Sequence, residues 1–192
     1  MKSMSKRTGV TATTVEQFLI GPGAVYKNWT DLATPGTLLG ATIGGNQVTI
    51  TREYHVPELD GALGPVKGTR RLIREVPVVV ANLVEITKEN LMLALAGATS
   101  ADHPAVTPTH DLITSTGEIA DLDYLTNIAI VGQKAGTDKP IVFLIENALS
   151  TEPVEINLGT GRDDDVVLQT TFTGHYDPAT PNTPPYKIYS PK

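Results

Sequence analysis

The sequence predicts a mainly β protein: a β-sandwich or partial barrel with one short flanking α-helix, a long inter-strand loop and extended N- and C-terminal arms. Three observations carry that expectation. In Gln47 to Val56 the even positions Val48, Ile50, Tyr54 and Val56 are apolar, while Thr49, Thr51, Glu53 and His55 between them are polar. That period of two belongs to a strand with one dry and one wet face. Arg71 to Glu85 carries Val76, Val78, Val79, Val80, Leu83 and Val84 with hardly any alternation, so this strand is expected to be covered on both faces. Helix signals occur once, between Thr87 and Gly97.

Composition bounds the organisation. At 192 residues and 40% hydrophobic the chain can bury one sizeable core. The expected division is an N-terminal arm over 1–17, a single β domain over 18–176 and a proline-rich C-terminal arm over 177–192. Only 5% of residues are aromatic, whereas the 17 glycines and 14 prolines suit short strands joined by irregular connections. The net charge of -6 argues against a surface that grips duplex nucleic acid. The absence of cysteine removes disulfides, thiolate metal sites and cysteine nucleophiles. No run approaches 18 apolar residues, and no apolar stretch follows the basic start at Lys2, Lys6 and Arg7, so neither a membrane span nor a signal peptide is expected.

In chain order, Met1 to Thr14 is polar and rich in Ser and Thr. Gly21-Pro22-Gly23 reads as a turn leading into a first strand at Ala24, Val25 and Tyr26, and Gly44-Gly45 opens the strand that begins at Gln47. Pro57 to Gly68 joins the two central strands through a connection far longer than the two to five residues that close most hairpins. Such a segment is either a floppy surface loop or one ordered against a neighbouring molecule; its members include Leu59, Asp60, Leu63, Val66 and Lys67.

Thr87 is a good N-cap for a helix over Lys88 to Ala96, with Glu89 near the positive helix end and Gly97 at the C-terminal cap. Leu91 to Ala96 is consecutively apolar, which leaves no wet side beyond the first turn. A surface helix keeps a polar face. Leu91, Met92, Leu93 and Leu95 are therefore expected to touch both their own sheet and another subunit, the alternative being full burial within one domain.

Ala98 to Thr116 reads as loop around Pro104 and Pro108. Tyr124 to Val131 and Ile141 to Leu149 form a hairpin unit across Gly136. Val154, Ile156 and Leu158 alternate as a short strand, and Val166, Leu168, Thr170 and Phe172 share one side of the next. The proline density after Asp177 excludes a central strand, leaving Tyr186 to Tyr189 as a possible edge.

Catalytic and metal signatures are sparse. His55, His103, His110 and His175 are scattered, with no i,i+4 helical pair. Neither a Gly-x-Ser-x-Gly elbow nor a phosphate-binding loop is present, since Gly159-Thr160-Gly161 runs on into Arg162 and acids. Asp163, Asp164 and Asp165 offer oxygen ligands for a cation without a recognised ligand pattern, so a charged turn is the plainer reading. Asp121 and Asp123 flank Leu122 as a pair on a wet strand face, and Arg70, Arg71 and Arg74 form one basic cluster suited to salt bridges across an interface. The expectation is a protein without catalytic residues, metal or cofactor.

An ordered set of short motifs spans Leu19 to Tyr189: Gly21-Pro22-Gly23-Ala24-Val25-Tyr26, then Leu39 to Gly45, then Asp60-Gly61 with Gly64-Pro65-Val66, and finally Phe172-Thr173-Gly174-His175-Tyr176-Asp177. Together they resemble the major tail tube proteins of tailed bacteriophages. That resemblance implies a small β domain that forms hexameric rings, stacked into a tube whose inner wall is a barrel of strands shared between subunits. DNA would pass through the lumen without specific binding. It further implies a virion tail location, assembly in the host cytoplasm, and contacts with tail tip or baseplate, tape measure and tail terminator proteins, without a membrane. On this reading Thr49, Thr51 and Glu53 are lumen candidates, though a one-residue slip in register exchanges the faces. The loop residues Leu59, Asp60, Leu63, Val66 and Lys67 join rings, and Leu91, Met92, Leu93 and Leu95 meet a neighbouring subunit.

The inner tube of a contractile tail or secretion machine fits the same pattern. From other classes come a carbohydrate-binding β-sandwich, which wants several exposed aromatics where this chain has one Trp, in a loop, and a small hydrolase with an unrecognised site.

Overall fold

Alternation along each strand sorts the side chains into two faces, and the pairing of strands decides what those faces meet. The computed structural model describes residues 10–11, 13–102, 110–137, 139–156, 158 and 164–191. The strands are β1 (Leu19–Lys27), β2 (Thr37–Leu38), β3 (Gln47–His55), β4 (Arg71–Leu83), β5 (Ala98–Asp102), β6 (Asp111–Ser115), β7 (Leu125–Lys134), β8 (Pro140–Ser150), β9 (Glu155–Ile156), β10 (Leu168–Gly174) and β11 (Tyr186–Tyr189). One α-helix, α1 (Lys88–Ala94), follows β4. The fold is mainly β, as expected.

Nine strands make one antiparallel sheet in the order β2-β1-β7-β8-β10-β4-β3, with β11 paired to β8 and β9 to β10. The sheet rolls inward without closing into a barrel. Its inner face gathers Val25, Val79, Ile128, Ile130, Ile145, Leu168 and Phe172 into one core. Asn46, just before β3, donates from Nδ2 to the carbonyls of Pro22 (3.1 Å) and Gly23 (3.3 Å), bringing the β3 and β1 sides of the roll within reach of one side chain. A smaller cluster of Trp29, Ala129, Val142 and Leu144 lies on the outer face, where the Trp29 ring meets Tyr189 at 5.6 Å.

The helix stoppers the roll at the end where β4 finishes. Thr87 caps it, accepting from Asn90 N at 3.1 Å, and Asn90 Nδ2 donates to the carbonyls of Leu39 and Glu85, both at 2.8 Å. Those bonds turn a buried polar side chain into a fastener between helix and sheet. Ala94, Leu91 and Leu93 face the main core. The helix ends two residues earlier than expected, at Ala94 rather than Ala96. Gly97 makes the reversal at φ +72°, with a carbonyl 2.4 Å from where a Cβ would sit, a space only glycine fits.

Several sequence expectations are corrected. Gly21-Pro22-Gly23 is not a turn ahead of the first strand but a bulge inside it, because Leu19 and Ile20 already pair with Lys134 and Gln133. Ala98 to Thr116 is not a loop throughout: β5 and β6 pair as a separate hairpin against α1. Their Ala, Ser and Thr content hides the alternation. Asp121 and Asp123 lie on a 3-10 turn, not a strand, where the Asp123 carboxylate accepts from Ala120 N at 2.7 Å. Of the strand expected at Val154 to Leu158, the described residues form Glu155–Ile156. The first nine residues of the N-terminal arm, His103 to Pro108, and Gly159 to Asp163 lie outside the described residues.

Candidate assembly surface

The expectation that Arg71 to Glu85 is covered on both faces does not hold within one chain. Glu75, Pro77, Val79, Ala81 and Leu83 point inward and are buried, whereas Val76, Val78 and Val80 are half-buried and Arg71 to Arg74 are exposed. Register explains the step. Strand β10 accompanies β4 only from Val78 to Leu83, its last pair being Thr173 with Val78. Pro77, which has no N–H to offer a ladder, marks the place where that neighbour ends. Beyond it β4 is paired with β3 alone, as far as His55 with Arg71, so the two strands leave the sheet as an arm.

Apolar side chains on this arm lie in water. Tyr54, Leu72 and Ile73 on its strands and Leu59, Leu63 and Val66 in its loop are exposed. A charged cluster anchors its base. Glu75, 2% exposed, accepts from Arg52 Nε at 2.5 Å and from Tyr186 Oη at 3.3 Å. Hydrogen bonding and the charge of Glu75 raise the Arg52 pKa above its ordinary value; burial, then the Glu75 charge, raise that of Tyr186. A buried carboxylate needs such partners. They tie the C-terminal strand to the arm.

The outward face across β10, β4 and β3 is uncharged for most of its length. Cross-strand pairs set Thr171 beside Val80 and Gln47, and Thr173 beside Val78 and Thr49, with Thr51 beside Val76. Thr49 and Thr51 are exposed and share this face, as the alternation predicts. Glu53 lies farther out on the arm and pairs with Arg74 at 3.4 Å, so its charge is offset. Arg70 lies over the Tyr54 ring at 5.4 Å. Two of the three arginines expected to reach across an interface therefore have partners inside the chain.

The helix is half sheltered. Leu91, Met92 and Leu93 are partly buried and Leu95 is exposed. Beside it lies a groove of about 260 Å³ walled by Met92, Leu93, Leu122 and Leu125. Leu122, 96% exposed, was missed as a surface feature because the sequence places it on a strand. At the arm end, a second groove of about 390 Å³ is lined by Leu19, Ile20, Val48, Ile50, Phe143 and Ile188. No pattern along the chain announces it, since its walls come from five separate segments.

Among the described residues no three His, Asp or Glu side chains converge to hold a metal, and no helix is long and apolar enough to cross a membrane. Asp163 of the candidate cation turn lies outside the described residues. No protein-family model matches this chain, and no curated protein matches it significantly.

Proposed function

We propose that this chain is a structural subunit that polymerises through copies of itself into stacked, hexameric rings, forming the tail tube of a bacteriophage. The observation that carries the reading is the β3–β4 arm, which holds Leu59, Leu63, Leu72 and Ile73 in water next to an open sheet edge. Exposed apolar side chains grouped beside an unpaired edge are a liability for a monomer and an asset for a subunit. Six arms side by side would continue the sheet from chain to chain, and head-to-tail repetition would extend it as an open filament.

The Thr/Val face with Thr49 and Thr51 suits a channel wall. Hydroxyls and methyls without net charge offer phosphates no ionic hold, so DNA slides past without specific binding. The tube belongs to the virion tail and assembles in the host cytoplasm, its ends meeting tail tip or baseplate and terminator proteins and its lumen a tape measure protein. Trp29 is packed against Tyr189 and the outer cluster, which takes away the exposed platform a carbohydrate-binding module would use.

Negative-stain microscopy of concentrated protein tests the reading. Tubes or stacked rings are expected. A monodisperse monomer at every concentration in sedimentation overturns it.

A further inference from the structure

Charge is divided unequally along the strand axis. Among the described residues, Lys67, Arg70, Arg71, Lys134 and Lys139 stand at the arm end, with Glu16, Glu58 and Asp60 among them and Arg74 already paired to Glu53. At the helix end stand Glu89, Asp102, Asp111, Glu118, Asp121 and Asp123 against Lys27 and Lys88, and Asp111 already occupies Lys88 at 3.0 Å. One end is basic and the other acidic, so two copies attract when stacked head to tail and repel head to head.

Each end also carries half of an apolar fit. Leu63 is fully exposed at the tip of the 57–68 loop, with Lys67 four residues on. The groove beside α1 has Met92, Leu93, Leu122 and Leu125 as walls and Glu89, Asp123 and Lys27 at its rim. At about 260 Å³ it is smaller than most small-molecule sites, which begin near 300 Å³, and matches one or two side chains better.

We propose that the loop of one copy seats Leu63 in the α1 groove of the next copy, with Lys67 directed to Glu89 on its acidic rim. This rests on the head-to-tail reading above and names the surfaces that meet. The arrangement is heterologous: each subunit offers a knob at one end and a hole at the other, so the contact propagates without saturating. Loop order comes from the neighbour rather than from the chain's own core.

The chain has no cysteine, so pairs of introduced thiols report only the contact of interest. Leu63→Cys and Leu122→Cys replace two exposed side chains and leave the fold intact. A disulfide requires Cα atoms within about 7 Å. Under mild oxidation the double variant is expected to give a ladder of dimers, trimers and longer species on non-reducing gels, whereas each single variant stops at dimers. A preparation that builds rings or tubes but shows no ladder overturns the docking and leaves the tube reading standing. One that remains monomeric throughout overturns both. As a second arm, Lys67→Glu and Glu89→Lys are each expected to weaken assembly about tenfold at low salt, and mixing the two variants to restore part of it. Assembly unchanged by either substitution overturns the ionic half of the contact.

Discussion

The two ends of the rolled sheet are built from similar strands and have opposite fates. At the helix end β4 lies between β10 and β3, Leu83 and Leu168 are buried in the core that Leu91 and Leu93 of α1 pack against, and Asn90 fastens helix to sheet with two hydrogen bonds. At the arm end β10 stops at Gly174, and β3 and β4 continue as a pair with apolar side chains in water. A two-stranded ribbon is marginal on its own. Here its base is held by Glu75, Arg52 and Tyr186, and its tip is left without a covering. Burial therefore concentrates at one end, and the other leaves apolar side chains uncovered.

That division can be broken residue by residue. Phe172→Ala removes the largest fully buried side chain of the main core and is expected to cost about 3–5 kcal/mol, read from chemical denaturation. Arg52→Ala leaves the buried Glu75 carboxylate with Tyr186 alone and is expected to lower stability by less than the core truncation does, with faster proteolysis reporting release of the C-terminal strand. Thr87→Ala deletes the helix cap for about 1 kcal/mol, visible as a modest drop in melting temperature.

Alkali sharpens the comparison by titration. The Tyr186 pKa lies above its ordinary 10.0, chiefly through burial, and those of Lys187 and Lys88 lie above 10.5, chiefly through hydrogen bonds to Glu146 and Asp111. Raised folded values mean that the folded state binds these protons more tightly. Their contribution is complete below the ordinary values and is lost as pH rises through the folded ones. Denaturation midpoints measured between about pH 9 and 12 should fall, and a flat profile would remove Tyr186 and the two lysines from the account.

The smallest expected effect on stability belongs to the arm tip. Leu63→Ser should change unfolding free energy by less than about 0.5 kcal/mol, since the side chain touches no core. Replacing 57–68 by a short turn should likewise leave a folded monomer that builds no tubes. Long tubes from that deletion, or a large loss of stability from Leu63→Ser, would erase the contrast between the two ends.

Local features were legible where a period or a cap states them. The alternation of Val48 and Ile50 against Thr49 and Thr51, the Thr87 cap and the hairpin of β7 with β8 follow from spacing alone. The β5–β6 hairpin was not, because Thr99, Ala101, Thr114 and Ser115 carry too little contrast in hydropathy to show a face. Glu75 was hidden in an apolar run, and its role depends on Arg52 and on Tyr186 from the far end of the chain.

The amino-acid sequence by itself determined a mainly β chain with one capped helix, an over-long connection at Pro57 to Gly68 and no cysteine chemistry. Tertiary structure alone decided that β4 has company from β10 over half its length and then none, that a groove opens beside α1, and that acids collect at one end and bases at the other. The reason is physical. Periodicity records which side chains share a face, whereas the strand lying alongside is chosen by contacts between residues distant in the chain, and only those contacts determine which face is left uncovered.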